Sequence, residues 1–222
     1  MSSNPTIQIV WATPEADAHL AYIARVSNPA NQSNKSISKL LNHMMKEGHV
    51  SPFDMCNACI EINAPRDIAR QALRHSSIKP QEFSQRYANV TALGDFIIRE
   101  FRLQDTQNRQ SSIDVPSDDP RAVEWARRQE ALAKQVRENY EWCLSVGGAK
   151  EVARVILPEG MTPSRLYFNG TFRSWIFYLR SRLHPSTQKE HREIALLVLE
   201  ALRSVAPVTM DAFFGEHVGG AA

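Results

Sequence analysis

The chain has 222 residues, of which 43% are hydrophobic, and its formal net charge at pH 7 is only +2. This length and apolar content suit one globular domain with a sizeable core and exclude a disordered tail protein. Because 26 Lys and Arg nearly balance 24 Asp and Glu, a broad nucleic-acid-binding surface is also excluded, and any anion site must be local.

The sequence carries no pattern typical of export or membrane insertion. Its first residues lack a basic segment followed by an apolar one, and no later run approaches the ~20 apolar residues of a membrane helix. Three cysteines do not make a disulfide framework. We therefore expect a cytoplasmic protein that binds neither membrane nor nucleic acid.

The first half of the chain alternates strand and helix patterns. Residues 6–11 predict a strand, and Thr13-Pro14-Glu15 predicts a helix start with proline at the first helical position. Apolar residues at helical spacing from Ile37 predict a helix that Gly48 ends, which leaves His49 just past the helix. Residues 53–63 alternate as in a half-buried strand, with an inner face of Cys56, Ala58, Ile60 and Ile62.

Pro65 is expected to begin a further helix, whose last turn presents Gln71 and Arg74 on one side because they are three residues apart. The segment 74–87, RHSSIKPQEFSQRY, follows directly. Guanidinium forks suit a phosphate dianion, and paired donors and acceptors suit the edge of a nucleobase. A solvated turn is the alternative, but the density of such side chains favours a ligand-binding segment.

The second half is expected to be mainly helical. Residues 96–103 predict a strand, 104–120 a long loop or insertion, and Asp119-Pro120 the start of a long helix that ends near Gly147-Gly148. The expected inward residues of that helix are Ala122, Trp125, Leu132, Val136, Tyr140 and Cys143.

Two helices complete the pattern. Thr171 can cap a short helix with an apolar stripe of Phe172, Ile176, Leu179 and Leu183, which leaves Arg173 and Phe177 together on another side. Thr187 and Glu190 predict a capping box for the last helix, whose stripe before Pro207 comprises Ile194, Leu197, Val198, Ala201, Leu202 and Val205. The sequence thus predicts one α+β domain over residues 1–222, with a mainly antiparallel sheet packed against helices.

Several chemistries lack their usual residues. Cys56 and Cys59 have no second pair and would point to opposite faces of a strand, so core cysteines are favoured over a metal or redox site. His184 and His191 are not spaced as a metal-binding pair, and no metal site is expected. No Gly-rich phosphate loop occurs, and no cysteine has the neighbouring histidine of a covalent nucleophile.

The segment after Gln71 resembles the signature of the flavin-dependent thymidylate synthases, the thymidylate synthase complementing proteins. That signature is Arg-His-Arg, seven residues, then Ser; here Arg74-His75 opens it and Ser84 closes it. Further similar blocks are GHVSPF at 48–53, QEFSQRY at 81–87, ARVILP at 153–158, and the spacing from Arg182 to Gln188. The resemblance covers most of residues 48–201.

The resemblance implies a thymidylate synthase complementing protein-like fold and the reductive methylation of dUMP at C5. Methylenetetrahydrofolate would give the carbon unit, reduced FAD the hydride, and NADPH would reduce the flavin. It also implies a homotetramer with active sites shared between subunits. Arg182 matches the arginine that stabilises the anion developing in the pyrimidine ring, although Arg180 is a rival if the register is two residues different.

Residues are carried over by position. The implied dUMP contacts are Gln71, Arg74, Glu82, Phe83, Ser84, Gln85, Arg86, Arg154 and Arg182. The implied FAD contacts are His49, Ser51, Arg74, His75, Ser76, Glu82, Thr171, Arg173 and Phe177.

The departures from the family pattern concentrate on the flavin side, apart from Gln81, which stands where the family has asparagine. Ser76 replaces an arginine, and Thr171 and Phe177 stand where asparagines are usual. The hypothesis is that dUMP binding is intact while FAD is held more weakly or in an adjusted pose. Two alternatives stay open: a deoxyuridylate C5 hydroxymethylase, and a non-enzymatic nucleotide- or nucleic-acid-binding module.

Overall fold

A four-stranded antiparallel sheet organises the fold in the computed structural model, which describes residues 5–215. The strands of this sheet are β1 (Thr6–Ala12), β2 (Asn57–Pro65), β3 (Lys79–Glu82) and β6 (Pro163–Thr171), in the order β1-β2-β6-β3. A separate hairpin pairs β4 (Arg102–Gln104) with β5 (Ser112–Asp114). The α+β class with a mainly antiparallel sheet is confirmed.

Eight α-helices surround the sheet within the described range. They are α1 (Ala16–Ala24), α2 (Ile37–Lys46), α3 (Arg66–Ala72), α4 (Pro120–Ser145), α5 (Lys150–Ala153), α6 (Phe172–Arg182), α7 (Lys189–Val205) and α8 (Pro207–Phe214). None of the helices described in residues 5–215 is long and apolar enough to cross a membrane.

The longest strand pair, β2 with β6, sets the positions of both neighbouring helices. Its register runs from Asn57 opposite Thr171 to Pro65 opposite Pro163. Since β2 leads directly into α3 and β6 leads directly into α6, these helices leave opposite ends of the pair. Cys56, Ala58, Ile60 and Ile62 are all buried, as their alternation predicts, and they pack with α6 and α7 in the main core.

Several predicted boundaries are wrong at the start of the chain. Helix α1 begins at Ala16 instead of following Thr13, and Glu15 at its N-cap has φ 48° and makes no side-chain cap. Residues 51–55 form a 3-10 turn, so strand β2 begins at Asn57 and not at residue 53. Gly48 ends α2 as expected, with a φ of 69° that favours glycine.

The predicted strand at 96–103 is also wrong over most of its length. Its backbone makes isolated hydrogen bonds instead of a strand ladder. Ile97 N–H donates to the Met161 carbonyl at 2.8 Å, and the Arg99 backbone exchanges two hydrogen bonds with the Gln129 carboxamide. Regular pairing starts only at Arg102. The segment 104–120 therefore contains one short strand, β5, between turns.

Helix α4 begins at Pro120 with Asp119 as its cap, as predicted, but part of its expected inner face is exposed. Val136 and Tyr140 are buried, whereas Trp125 is 43% and Leu132 45% exposed. Polar Gln129 takes a buried place instead, because its carboxamide binds the Arg99 backbone.

The capping box predicted for the last helix is absent. Thr187 donates its hydroxyl to the Ser181 carbonyl, and Glu190 pairs with Arg102 and Gln188, so neither group is available to cap α7. Ile194, Val198 and Leu202 are buried as expected, but Leu197 is exposed. The chain continues beyond Pro207 as α8, which the sequence pattern did not predict.

Candidate active site

The segment 74–87 follows α3 and contains β3, which is an edge strand of the sheet. Backbone hydrogen bonds turn the chain after Ala72, and β3 then pairs with β6 so that Glu82 stands opposite Leu166. Arg74 and Ser76 are exposed, while His75 is half-buried. The segment thus begins beside helix α6 and ends beside the start of β6.

The first cluster joins this segment to the end of α6. Arg182 Nε donates a hydrogen bond to His75 Nε2 at 2.9 Å, and the His75 ring packs edge-on against Tyr178 with centroids 4.9 Å apart. Burial, reinforced by the positive charge of Arg182, lowers the pKa of His75 to about 4. His75 is therefore neutral at physiological pH, and no carboxylate of residues 5–215 lies within ion-pair distance of Arg182.

Gln71 belongs to the same cluster through helix α7. Its Nε2 donates to Gln188 Oε1 at 2.7 Å, and its Oε1 lies 3.2 Å from His191 Nδ1. Gln71 is on α3 and Arg182 is on α6, and the side chains that bind Gln71 come from α7 and its N-cap. Three helices therefore support these two residues, which the sequence assigns to nucleotide binding.

The second cluster surrounds Glu82. Its carboxylate pairs with Arg66 at 3.0 Å, lies 3.8 Å from Arg70, and accepts a hydrogen bond from Ser164 at 3.0 Å. Arg66 is buried, and burial lowers the pKa of its guanidinium against the opposing effect of Glu82. These contacts fix the orientation of Glu82 at the end of β3.

The turn that follows forms the third cluster with α5. Phe83 N–H donates to the Arg165 carbonyl at 2.9 Å, and Arg86 pairs with Glu151 at 3.3 Å. Ser84 Oγ accepts from Arg86 N–H at 3.3 Å. The Gln85 side chain is buried, and its Nε2 has no hydrogen-bond partner. Arg154 directly follows α5, close enough to Arg66 for repulsion to help lower the pKa of Arg66.

The fourth cluster contains several of the residues assigned to the flavin. Thr171 caps α6 by accepting from Ser174 N–H at 3.1 Å, and its hydroxyl donates to Asp54 at 3.0 Å. Asp54 also pairs with Arg173 at 2.8 Å, and Arg173 stacks over the Phe177 ring at 5.7 Å. Ser51 and His49 are exposed nearby in sequence, and the His49 ring contacts His43 at 6.2 Å.

The electrostatics of the proposed nucleotide arginines are unusual. Within residues 5–215, Arg74, Arg154 and Arg182 have no carboxylate within ion-pair distance, whereas Arg86 pairs with Glu151. Most other arginines in this range are paired with acidic side chains. A guanidinium with no internal counter-charge can accept a phosphate or a developing anion without first losing a partner.

The structure therefore brings distant motif blocks together in pairs. Arg182 joins Gln71 and His75, and Arg86 joins the helix that precedes Arg154. No hydrogen bond or ion pair between described side chains connects these two groups. A cavity of about 270 Å³ lined by Pro65, Ile97, Arg99 and Glu193 among others contains none of the proposed nucleotide residues.

Sequence reasoning missed four residues that organise these clusters: Arg66, Tyr178, His191 and Asp54. Each is held by a contact to a residue far away in sequence, such as Arg66 with Glu82 or His191 with Gln71. Cys56 and Cys59 are buried, as expected, and burial raises the pKa of both thiols. No described group of three His, Cys, Asp or Glu side chains could hold a metal ion.

Comparison with known proteins identifies the class to which this fold and site belong. Residues 8–208 match the family model described as Thymidylate synthase complementing protein. The chain belongs to this family.

Relatives and solved structures agree with that assignment. The chain is 44% identical over 192 residues to a protein named probable flavin-dependent thymidylate synthase from Paramecium bursaria Chlorella virus 1, covering 86% of this chain and 87% of that one. It is 44% identical over 195 residues to the flavin-dependent thymidylate synthase of Synechocystis sp., covering 87% of each. Its fold matches the UMP/dUMP methylase PolB of Streptomyces cacaoi, solved with 5-Br dUMP, with a TM-score of 0.82, 26% identity and 96% of each chain covered.

Proposed function

We propose that this enzyme methylates dUMP reductively to dTMP, with methylenetetrahydrofolate as the carbon donor and FAD and NADPH as the reductant system. The observation that carries the proposal is that three of the four arginines assigned to the nucleotide, Arg74, Arg154 and Arg182, pair with no carboxylate of residues 5–215, a property they share with a minority of the arginines in that range. A nucleoside monophosphate needs both a dianion site and stabilisation of charge in its ring, which these groups can supply.

Arg182 is the residue proposed to act on the pyrimidine. Its Nε is held by neutral His75, so the guanidinium is oriented while its terminal nitrogens remain without a protein partner in the described chain. Arg180, the rival candidate, stacks over the Phe213 ring at 5.1 Å. This difference supports Arg182. The guanidinium stabilises negative charge at the N3 and O2 edge of the ring without taking a proton.

The remaining nucleotide contacts are proposed from the other clusters. Glu82, positioned by Arg66, and the backbone and side chains of Phe83, Ser84, Gln85 and Arg86 would bind the base and the sugar phosphate. The unpartnered Nε2 of buried Gln85 is one donor that a ligand could satisfy. Arg74 and Arg154 would hold the phosphate.

FAD is the proposed flavin, and its residues fit a diphosphate-containing group. The Arg74 guanidinium has no protein partner in the described chain and can approach a diphosphate. The Arg173 guanidinium is only partly buried but pairs with Asp54, so it would have to share or leave that carboxylate to bind a diphosphate. His75, Ser76, Ser51 and His49 would complete the site, with Glu82, Thr171 and Phe177 beside it. The flavin supplies the hydride when bound, and the role of these residues is to hold and orient it.

We also propose a homotetramer whose sites are shared between subunits. Val155 and Tyr87 are each 82% exposed in the single chain, and both lie next to the proposed site residues Arg154 and Arg86. In the proposed tetramer, a partner subunit would cover these two side chains. A second copy packed there would bring further groups toward the turn at 83–86. Light scattering of the purified protein measures the assembly, and a monomeric mass would contradict this part.

A product assay tests the function directly. Purified protein is supplied with flavin, NADPH, methylenetetrahydrofolate and dUMP, and the nucleotide product is identified by mass. A methyl product supports the proposal, and a hydroxymethyl product would instead establish the hydroxymethylase alternative. No product, no flavin spectrum and no folate consumption would favour a binding module, whose affinity for a nucleic-acid polymer should fall steeply with salt. UMP is the comparison nucleotide, since PolB is named a UMP/dUMP methylase.

A further inference from the structure

A chain of hydrogen bonds runs from the buried end of α6 to the start of α7. Its five members are Tyr178, His191, Gln71, Gln188 and Glu190, joined by contacts of 3.2, 3.2, 2.7 and 2.9 Å in that order. Tyr178 and His191 are fully buried. Arg102, from strand β4, pairs with Glu190 at the outer end.

The carboxylate at one end fixes the direction of every bond in the chain. The Glu190 carboxylate, which pairs with Arg102, can only accept, so Gln188 must donate to it through Nε2. The Oε1 of Gln188 then faces Gln71 and accepts from Gln71 Nε2.

The bond directions are fixed in the same way as far as the imidazole of His191. Because Gln71 donates through Nε2, its Oε1 faces His191 and must accept from Nδ1–H. Nε2 of His191 is then the acceptor for the Tyr178 hydroxyl. Burial lowers the pKa of His191 to about 3, with repulsion from Arg182 and His75 adding to the effect, so the imidazole is neutral with one donor and one acceptor nitrogen.

We propose that His191 is a positioning residue that holds the Gln71 carboxamide with its oxygen inward, so that its second amide N–H is presented to a carbonyl oxygen of the uracil ring. This inference rests on the proposed function, in which Gln71 contacts dUMP. Without the His191 donor, only the bond to Gln188 orients the carboxamide, and Gln71 Oε1 loses the bond from Nδ1–H that holds it inward.

Two carboxamide variants, each of which mimics one ring nitrogen, separate positioning from packing. His191→Asn places an amide N–H near the Nδ1 position and keeps the donor to Gln71. His191→Gln reaches the Nε2 position, keeps a partner for Tyr178 and loses the donor to Gln71. Val198→Ala is the control, because Val198 is a buried residue of the same helix whose side chain has no hydrogen-bonding group.

The measurements are the dissociation constants of dUMP and of flavin, with KM and kcat for dUMP and the thermal midpoint of each variant. His191→Gln should weaken dUMP binding and raise its KM about tenfold, the cost of one misdirected polar group. His191→Asn should stay close to wild type. Flavin affinity should not change in either variant, and Val198→Ala should lose stability but not dUMP affinity.

The outcomes distinguish this inference from the function on which it rests. Wild-type protein that does not bind dUMP would overturn both. Wild type that binds dUMP, together with His191→Gln that binds it equally well, would overturn only the positioning role. Equal weakening of dUMP in the Asn and Gln variants, with flavin weakened in parallel, would show that His191 is merely structural and would overturn the proposal as well.

Discussion

Arg182 and His75 are 107 residues apart, yet the guanidinium Nε of Arg182 donates to the imidazole Nε2 of His75 at 2.9 Å. A neutral acceptor orients a cation without neutralising it. An acidic partner at the same place would fix the guanidinium equally well but would cancel the charge that an anionic ligand needs. The pair therefore combines orientation with retained positive potential.

Replacement of Arg182 by alanine should remove turnover while leaving the protein folded. If the guanidinium stabilises charge in the pyrimidine ring, kcat should fall about 100-fold or more, a loss typical of removing one such electrostatic group. Arg180→Ala is the matched control on the same helix, since Arg180 stacks on Phe213 and contacts none of the proposed site residues. Product formation by Arg182→Ala at the wild-type rate would refute its role.

Flavin retention should be weak in the native sequence and stronger in Ser76→Arg. Ser76 is exposed, so an arginine there can extend toward a diphosphate without displacing core residues, and one charge-assisted contact should tighten flavin binding about tenfold. Dialysis followed by absorbance spectroscopy measures retention. Ser77→Arg adds the same charge at the next exposed position and should have little effect. Stoichiometric flavin retained by the native protein through extensive dialysis would contradict the hypothesis.

Asp17→Ala should destabilise the fold because it removes both a helix cap and buried hydrogen bonds. The buried carboxylate of Asp17, on α1, accepts from Val208 N–H at 2.8 Å and from Thr209 N–H and Oγ1 at 3.0 and 2.5 Å, which caps α8. Removing it leaves buried donors unsatisfied and should lower the free energy of unfolding by about 2–4 kcal/mol.

Asp211→Ala is the control for that experiment, because Asp211 lies in α8, the helix that Asp17 caps. Asp211 is exposed and pairs with Arg203 at 2.9 Å, so its loss should change the free energy of unfolding by less than about 1 kcal/mol. Denaturant titration of both variants provides the comparison. Equal effects of the two substitutions would show that Asp17 is not a special contact between α1 and α8.

Periodic burial explains which parts of the fold could be predicted from the sequence. Ile60 and Ile62 alternate because one face of β2 is covered, and Ile176 and Leu179 repeat at helical spacing because one side of α6 is covered. The main failures involve remote polar partners. The sequence predicts Glu190 as a capping residue, but in the structure it pairs with Arg102. The sequence predicts a strand at residues 96–101, but their backbone hydrogen-bonds to Gln129 and Met161 instead of to a neighbouring strand.

The candidate site was predictable to the extent that motif blocks carry it. Gln71 and His75 were assigned from the signature segment and Arg182 from a block 107 residues after His75, and the structure places all three in one cluster. The residues that support them were not predictable, because a lone buried histidine such as His191 gives no sequence signal for the helix it will face. The roles of the assigned residues in binding remain predictions.

Acid should destabilise the protein through the half-buried imidazole of His75 and the buried imidazole of His191. Burial holds the pKa of His75 at about 4 and that of His191 at about 3, below the ordinary value of 6.5. Below about pH 6.5 the unfolded chain takes up protons at both positions while the folded chain does not. The contribution of the two imidazoles to the free energy of unfolding is therefore fully present above that pH and is lost as the pH falls toward 4. Each imidazole can contribute a slope of up to about 1.4 kcal/mol per pH unit.

Unfolding free energies of wild type and His191→Asn, measured from about pH 7 to about pH 5, should show a shallower slope in the variant. His184→Asn, at an exposed position, should keep the wild-type slope, and identical slopes for wild type and His191→Asn would disprove the contribution of His191.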